Sequence, residues 1–422
     1  MVGKKRAPSA SKASHVKQKE VKKPAHLANS ASSAPAAAKT TTRHNTKSQG
    51  EPDGQLQLTP SNPDRKQQQR VLDVFRHAFS DTLASPNFTA ALQSVKQALY
   101  DRDFARAFND PESLAVYAAR WSPTRALCYA SVLTGIQKHL ELLFTRKGDD
   151  DGDGEHEATP EPPSQQLHVL SIGGGAAELV ALSAFLNANP SLSGAITLLD
   201  SGPWATVVTQ LTNALTTPPP ISKYASAAAK QANTAFVPAS HLQPTFLQRD
   251  ALTLTQAELT SLLGGPAATA PRLITLLFTL NELFTAGGIG KTTAFLLALT
   301  AAAPAGSLLL VVDSPGSYSE ASVGGGGSDK RRYPMQWLLD RILLGTRREP
   351  VVGDEPPGTC WAKLESRDSE WFRLAEGGAG QHQQQQRLEY PIALENMRFQ
   401  MHLYRAERAS SGESGDGDRD GE

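Results

Sequence analysis

Three consecutive glycines, Gly173, Gly174 and Gly175, follow the apolar run Leu170-Ser171-Ile172 and precede Ala176-Ala177-Glu178. Without a Cβ the backbone can turn sharply there and let a ligand come close. A helix starting at Ala176 would aim its free amides at that ligand. Two carboxylates stand downstream: Asp200 closes the apolar run 195–199, and Asp250 follows the weaker run 245–248. In an open α/β sheet, ligands bind outside the carboxyl ends of the strands. Either Asp alone is equally an ordinary strand-end turn residue. A glycine turn followed by acids at successive strand ends points to a site.

The ligand follows from what the motif lacks. A dinucleotide fingerprint, G-x-G-x-x-G, begun at Gly173 needs glycine where Glu178 stands. A carboxylate there repels a pyrophosphate. S-adenosylmethionine has no phosphate and is cationic at its sulfonium and ammonium, so the looser turn with Glu178 beside it suits this cofactor better than NAD. A dehydrogenase remains the competing reading. Asp200 is then positioned for the two ribose hydroxyls, and Asp250 for the adenine amino group.

Two other motifs fail on one position each. Gly287-Gly288-Ile289-Gly290-Lys291-Thr292-Thr293 imitates a P-loop, but G-x-x-x-x-G-K-[ST] needs glycine where Thr285 stands. It reads instead as a flexible loop entering a helix near Lys291. Asp149, Asp151, Asp153 and Gly154 fill positions one, three, five and six of a calcium loop, but Pro160 occupies the twelfth. That stretch reads as a solvated acidic insert, and no metal site is expected.

The elements that position these residues form an alternating series. Apolar runs at 167–172, 195–199, 245–248, 272–280 and 307–312 alternate with helical stretches, notably 291–303. Short buried strands alternating with helices predict an α/β, Rossmann-like domain over 166–405, with a mostly parallel central sheet flanked by helices. Ahead of it, 66–147 is a helical lead-in. Val71, Val74, Phe75 and Phe79 recur at helical spacing, as do Leu92, Val95 and Leu99, and a further helix spans 123–144 with Ser122 as N-cap. The loops 322–329 and 377–386 are low-complexity interruptions.

The ends differ in charge. The chain has 422 residues with 42 Lys and Arg against 42 Asp and Glu, yet 1–70 holds about fourteen basic against four acidic residues. Residues 1–65 lack apolar periodicity and read as a disordered basic arm. Lys4, Lys5, Arg6, Lys22 and Lys23 there serve nuclear targeting or RNA attraction, or merely solubility. Residues 148–165 form an acidic linker and 406–422 an acidic tail. The two cysteines, Cys128 and Cys360, make no disulfide framework. No run of eighteen apolar residues argues for a membrane span.

Several blocks are recognisable as a set. Ala119-Arg120-Trp121-Ser122-Pro123-Thr124-Arg125-Ala126 precedes the fold and Ile172-Gly173-Gly174-Gly175 opens it. Phe278-Thr279-Leu280-Asn281-Glu282-Leu283-Phe284 follows the fourth strand, with Lys291-Thr292-Thr293 after it. Leu388-Glu389-Tyr390-Pro391 and Leu394-Glu395-Asn396-Met397-Arg398-Phe399 close it. Over roughly 69–405 the chain resembles the fungal 25S ribosomal RNA uridine-N3-methyltransferases. The resemblance implies a class I methyltransferase using S-adenosylmethionine, a substrate in large-subunit ribosomal RNA or its precursor particle, and a nuclear, nucleolar location.

Uridine N3 carries a proton and takes part in pairing, so such a substrate must be unpaired and deprotonated. Glu282 is the candidate base, or a helix-start acid held by the dipole. Asn281 is a candidate for a uracil carbonyl. Phe284 either stacks on the base or fills the core. Arg120, Trp121 and Arg125 suit RNA, cation on phosphate and ring on base, but equally suit a Trp packed under the lead-in helices or a lid over the cofactor. Asp313 and Tyr318 follow the fifth strand and are expected to border the substrate.

Overall fold

A computed structural model describes residues 65–144, 165–316, 318–321, 331–345, 360–374 and 388–408. All belong to the larger of two units, 57–422. The basic arm, the calcium-like segment, both low-complexity loops and the chain beyond 408 lie outside the described residues.

Seven helices precede the sheet: α1 (Arg65–Ala78), α2 (Ser80–Ala84), α3 (Phe88–Tyr100), α4 (Phe104–Ala107), α5 (Pro111–Arg120), α6 (Ser122–Gly135) and α7 (Gln137–Glu141). Then follow β1 (Gln165–Ile172), α8 (Ala176–Ala188), β2 (Leu192–Asp200), α9 (Ala205–Thr216), α10 (Ala227–Ala232), β3 (Leu242–Gln248), α11 (Gln256–Leu262), β4 (Leu273–Leu277), α12 (Leu280–Ala302) and β5 (Leu308–Asp313). The remainder is β6 (Tyr318–Ala321), β7 (Arg331–Pro334), α13 (Met335–Leu343), β8 (Cys360–Phe372) and β9 (Met397–Glu407).

Seven strands form one sheet in the order β3-β2-β1-β4-β5-β9-β8, and β6 pairs with β7 in a separate ribbon. The first five strands are parallel, while β9 runs antiparallel to both β5 and β8. Every residue of β4 and β5 is buried, as expected of central strands covered on both faces. The strand order reverses direction at β1 and β4, and ligands bind at such a switch point.

The lead-in belongs to the core rather than to a separate layer. Val71, Phe75, Leu114, Leu127 and Tyr129 pack in one cluster with α8, α9 and one face of the sheet. The other face packs on α11, α12 and α13. There Trp361 is fully buried and donates from Nε1 to Thr300 Oγ1 at 2.8 Å.

Three local expectations need correction. The helix expected over 123–144 divides in two at Ile136, and Ser122 is a buried first-turn residue, not a side-chain cap. The stop lies before it: α5, capped by Asp110 accepting from Ser113 N, ends at Arg120, and Trp121 is the hinge between helices. The glycine segment 287–290 is not a loop. It lies inside α12, which starts at Leu280 and kinks where Gly288 takes φ +65°. Glycine reaches that left-handed conformation cheaply, so the helix bends instead of ending. Finally, β9 runs to Glu407, so Ala406 and Glu407 belong to the sheet and not to a tail. By length and composition alone α12 qualifies for a bilayer crossing. In the fold its Leu283, Phe295, Leu296 and Leu299 are buried in the core.

Candidate active site

The glycine turn is held from three sides. Gly173 N and Gly174 N both donate to Leu199 O, at 2.7 and 3.3 Å, tying the turn to the end of β2. Gly175 N donates to Glu178 Oε2 at 2.8 Å, so Glu178 fixes the start of α8 from within the helix. Gly173 has φ +69°, and a Cβ there would lie 2.3 Å from Thr279 Oγ1, on the far side of the cleft floor. A Cβ at Gly175 would press on the Trp204 ring at 3.1 Å. The backbone approaches its neighbours as closely as a glycine permits.

Above the turn opens a narrow cleft. Gly173, Gly175 and Glu178 line it with Asp200, Trp204, Phe108, Tyr117, Arg125, Phe278, Thr279 and Glu282. Asp200 ends β2, and its Oδ1 accepts Gly202 N at 2.7 Å, which aims the carboxylate into the opening. Trp204 Nε1 is buried without a well-formed hydrogen bond, although it stands near enough to Asp200 to favour the ionised carboxylate.

The acids in this cleft are hard to ionise. Burial pushes Glu282 up to about 8, opposed by Arg125 and reinforced by the charges of Asp200, Asp313 and Glu178. Burial likewise raises Glu178 to about 7, against the pull of the amide bonds at Gly175 and at its own backbone. Asp200 rises to about 6, again through burial. Arg125 is the one cation lining the cleft among the described residues; it bonds Tyr117 Oη and lies 5.0 Å above the Phe278 ring centroid.

The structure brings Gly173, Gly175, Glu178, Asp200, Arg125 and Glu282 together. It separates the others. Asp250 is exposed outside the cleft, its Oδ1 accepting Leu252 N at 2.9 Å to cap a short turn, so the adenine role assigned to it is not supported. Gly174 packs inward over Ser171 and does not line the opening. Asn281 is engaged through its backbone, N to Asp313 Oδ2 at 3.2 Å, and it does not line the cleft. Asp313 is buried and caps the start of α12 rather than bordering a substrate. Phe284 is buried in the α12 face of the core, which excludes stacking on a base. The side chain of Tyr318 lies outside the described residues.

Arg120 and Trp121 line a second, wider pocket with Thr124, Glu395, Asn396, Met397 and Arg398. Arg125 and Phe278 line both pockets and stand where the two meet. Trp121 is half-buried and packs on Tyr117 with ring centroids 5.1 Å apart. Arg120 is buried and pairs with Glu395 Oε1 at 2.6 Å. Neither covers the cofactor cleft.

Sequence reasoning missed Phe278, Thr279, Trp204 and Tyr117. Phe278 and Thr279 had a signal, since they begin the block that contains Glu282. Phe278 takes φ +60°, an uncommon conformation for a bulky side chain and a mark of a constrained site. Trp204, four residues past Asp200, was a second signal.

The donor set fits S-adenosylmethionine. The glycines let the turn pack tightly against Thr279, Ser171 and Trp204 at the cleft, Asp200 offers a carboxylate at the end of β2, and Glu178, Asp200 and Glu282 line an opening suited to a cation. Fold and cleft together define a class I, Rossmann-like methyltransferase that uses this cofactor.

Comparison with known proteins narrows the class. Residues 75–405 match the family described as "Putative SAM-dependent methyltransferase", and the chain belongs to it. It is 31% identical over 378 residues to the 25S rRNA (uridine(2843)-N(3))-methyltransferase of Saccharomyces cerevisiae, covering 82% of this chain and 88% of that protein. Among solved structures, the antibiotic-resistance methyltransferase Kmr is 14% identical with a TM-score of 0.29, covering 59% of this chain and 90% of its own. A 16S rRNA (adenine(1408)-N(1))-methyltransferase from Catenulisporales acidiphilia is 13% identical with a TM-score of 0.30, covering 58% and 88%. Those two likenesses are too distant to bear on substrate.

Proposed function

We propose that the chain methylates N3 of a uridine in large-subunit ribosomal RNA, and that it does so in the nucleus, within the nucleolus. The observation that carries the substrate is the 31% identity to the yeast uridine-N3 enzyme over nearly the whole of both chains. The basic sequence of the arm, with Lys4, Lys5 and Arg6, supports the location.

S-adenosylmethionine supplies an electrophilic methyl group and leaves as the neutral thioether. Gly173 and Gly175 let the chain come close to it, and Asp200 holds the ribose diol. N3 of the acceptor must shed its proton as the new N–C bond forms. Glu282 is a carboxyl group lining the cleft within the field of Arg125. In its ionised form it takes that proton. At neutral pH the empty cleft keeps Glu282 protonated, so the base becomes competent when a cation beside it lowers its pKa. Enclosure by Phe108, Tyr117, Trp204 and Phe278 excludes water from the reaction.

The test is a nucleoside comparison. Large-subunit RNA from a strain lacking the gene is digested and its 3-methyluridine measured. A lower level is expected, restored by the wild-type gene. An unchanged level overturns the uridine assignment and leaves methylation of another RNA or of a protein.

A further inference from the structure

Outside the cofactor cleft, the second pocket combines features that no structural role absorbs. Thr124 is 5% exposed, lines the pocket, and its Oγ1 has no hydrogen-bond partner among the described residues. A buried, unsatisfied hydroxyl costs free energy unless something else bonds it. Beside it stand two aromatic rings, Trp121 and Phe278, and the guanidinium of Arg125. An unpaired pyrimidine asks for these groups: π-faces to stack on and a donor for a ring carbonyl. Phe278 and Arg125 also line the cofactor cleft, so the two openings adjoin there and a base held here can turn its reacting edge toward the methyl donor.

The rim continues outward along the sheet edge. Arg398 lines the pocket and is paired across the strands with Trp371 of β8. Trp371 is half exposed, with the Arg398 guanidinium 5.9 Å and the Arg373 guanidinium 5.3 Å from its ring centroid. Arg398 is oriented by Nε donating to Ser369 Oγ at 2.8 Å. An exposed indole between two cations is poorly explained by packing. It matches the stacking platform and phosphate contacts of a single-strand binder. Glu395, the one acid lining the pocket among the described residues, is paired with Arg120, which leaves Arg125 and Arg398 as its remaining charged lining.

We propose that the second pocket receives the unpaired acceptor pyrimidine and that Trp371, Arg373 and Arg398 hold the neighbouring nucleotide of a single-stranded RNA. This rests on the methyltransferase reading above and names the site through which its substrate enters. Thr124 donates to a ring carbonyl, Phe278 and Trp121 supply the stacking surfaces, and the arginines of the rim meet phosphate.

The test uses the full chain and a fluorescein-labelled oligouridine of eight nucleotides, read by anisotropy, with calorimetry for S-adenosylmethionine and a thermal melt on every variant. Trp371→Ala is expected to weaken oligouridine binding about five- to hundredfold, leaving cofactor affinity and melting temperature unchanged. The double variant Arg373→Ala, Arg398→Ala should lower the slope of log K against log salt by about 0.7 for each phosphate no longer neutralised. Thr124→Val, which keeps the shape, should raise KM for RNA while cofactor binding stays. Folded Trp371 and arginine variants that bind oligouridine within twofold of wild type overturn the proposal, as does equal or tighter binding of duplex RNA. Loss of RNA binding in the variants combined with unchanged 3-methyluridine in the deletion strain would overturn the uridine reading and keep the RNA track. The reverse pattern would keep the reading and remove the track.

Discussion

Cofactor binding should release protons. In the empty cleft at pH 7, Glu282 with a pKa near 8 holds about nine-tenths of a proton, Glu178 near 7 about half, and Asp200 near 6 about a tenth. All three line one chamber with a single opposing cation, Arg125. Bringing a sulfonium and an ammonium into that chamber favours the ionised carboxylates, so their protons go to the buffer. The structure thus sets a ceiling of roughly one and a half protons per cofactor bound, most of it from Glu282. The measurement is titration calorimetry with S-adenosylmethionine at pH 7 in several buffers of different ionisation enthalpy. The slope of observed heat against that enthalpy counts the protons. Release of about one is expected for wild type, and Glu282→Gln should cut it by more than half. A slope of zero, or net uptake, would refute the claim that protonated acids face the cation.

Four further outcomes follow from the same geometry. Gly173→Ala must adopt φ +69° and place a Cβ 2.3 Å from Thr279 Oγ1, so it should destabilise by about 1–3 kcal/mol in a denaturant titration and abolish cofactor heat. Asp200→Asn should weaken S-adenosylmethionine about ten- to hundredfold by calorimetry through loss of charged hydrogen bonds, whereas Asp250→Asn, at an exposed cap where Asn serves as well, should change it less than about twofold. Glu282→Gln should still bind the cofactor but slow single-turnover transfer by about 10²- to 10⁴-fold. In the folded state Glu282 keeps its proton up to about pH 8, against 4.5 for the ordinary group. Its contribution to stability is therefore complete below about pH 4.5 and is lost as pH rises toward 8. The wild-type melting temperature should fall more steeply than that of Glu282→Gln over this range.

The central parallel strands were readable because they are short apolar runs, and β1, β2 and β5 also end in or run into glycine or Asp. Periodicity reports such runs directly, and β1, β2, β4 and β5 lie on them. The cofactor side of the site was readable for the same reason, since Gly173, Glu178, Asp200 and Glu282 stand at strand ends or at the first turn of a helix. What failed depended on partners distant in sequence. Asp250 matches the pattern of a strand-end acid, yet whether its carboxylate faces the cleft or caps its own turn is set by three-dimensional placement. Gly288 reads as a breaker, but α11 and β6 pack along α12 and carry it through the kink. The second pocket joins 120–125 to 395–398, segments far apart in sequence that touch only because β9 inserts beside β5. The family-like blocks were visible, but their adjacency was not.

The place of β9 also governs the order in which the enzyme can be built. In the sheet β8 touches only β9, which comes later in the chain, so β8 has no seat until β9 arrives. Every described residue assigned to the cofactor cleft lies before Asp313, whereas Glu395 to Arg398 enter with the late strand. The last strand therefore does two things at once: it covers the open edge of β5, adding Phe399, Met401 and Leu403 to the core, and it brings in the wall of the second pocket.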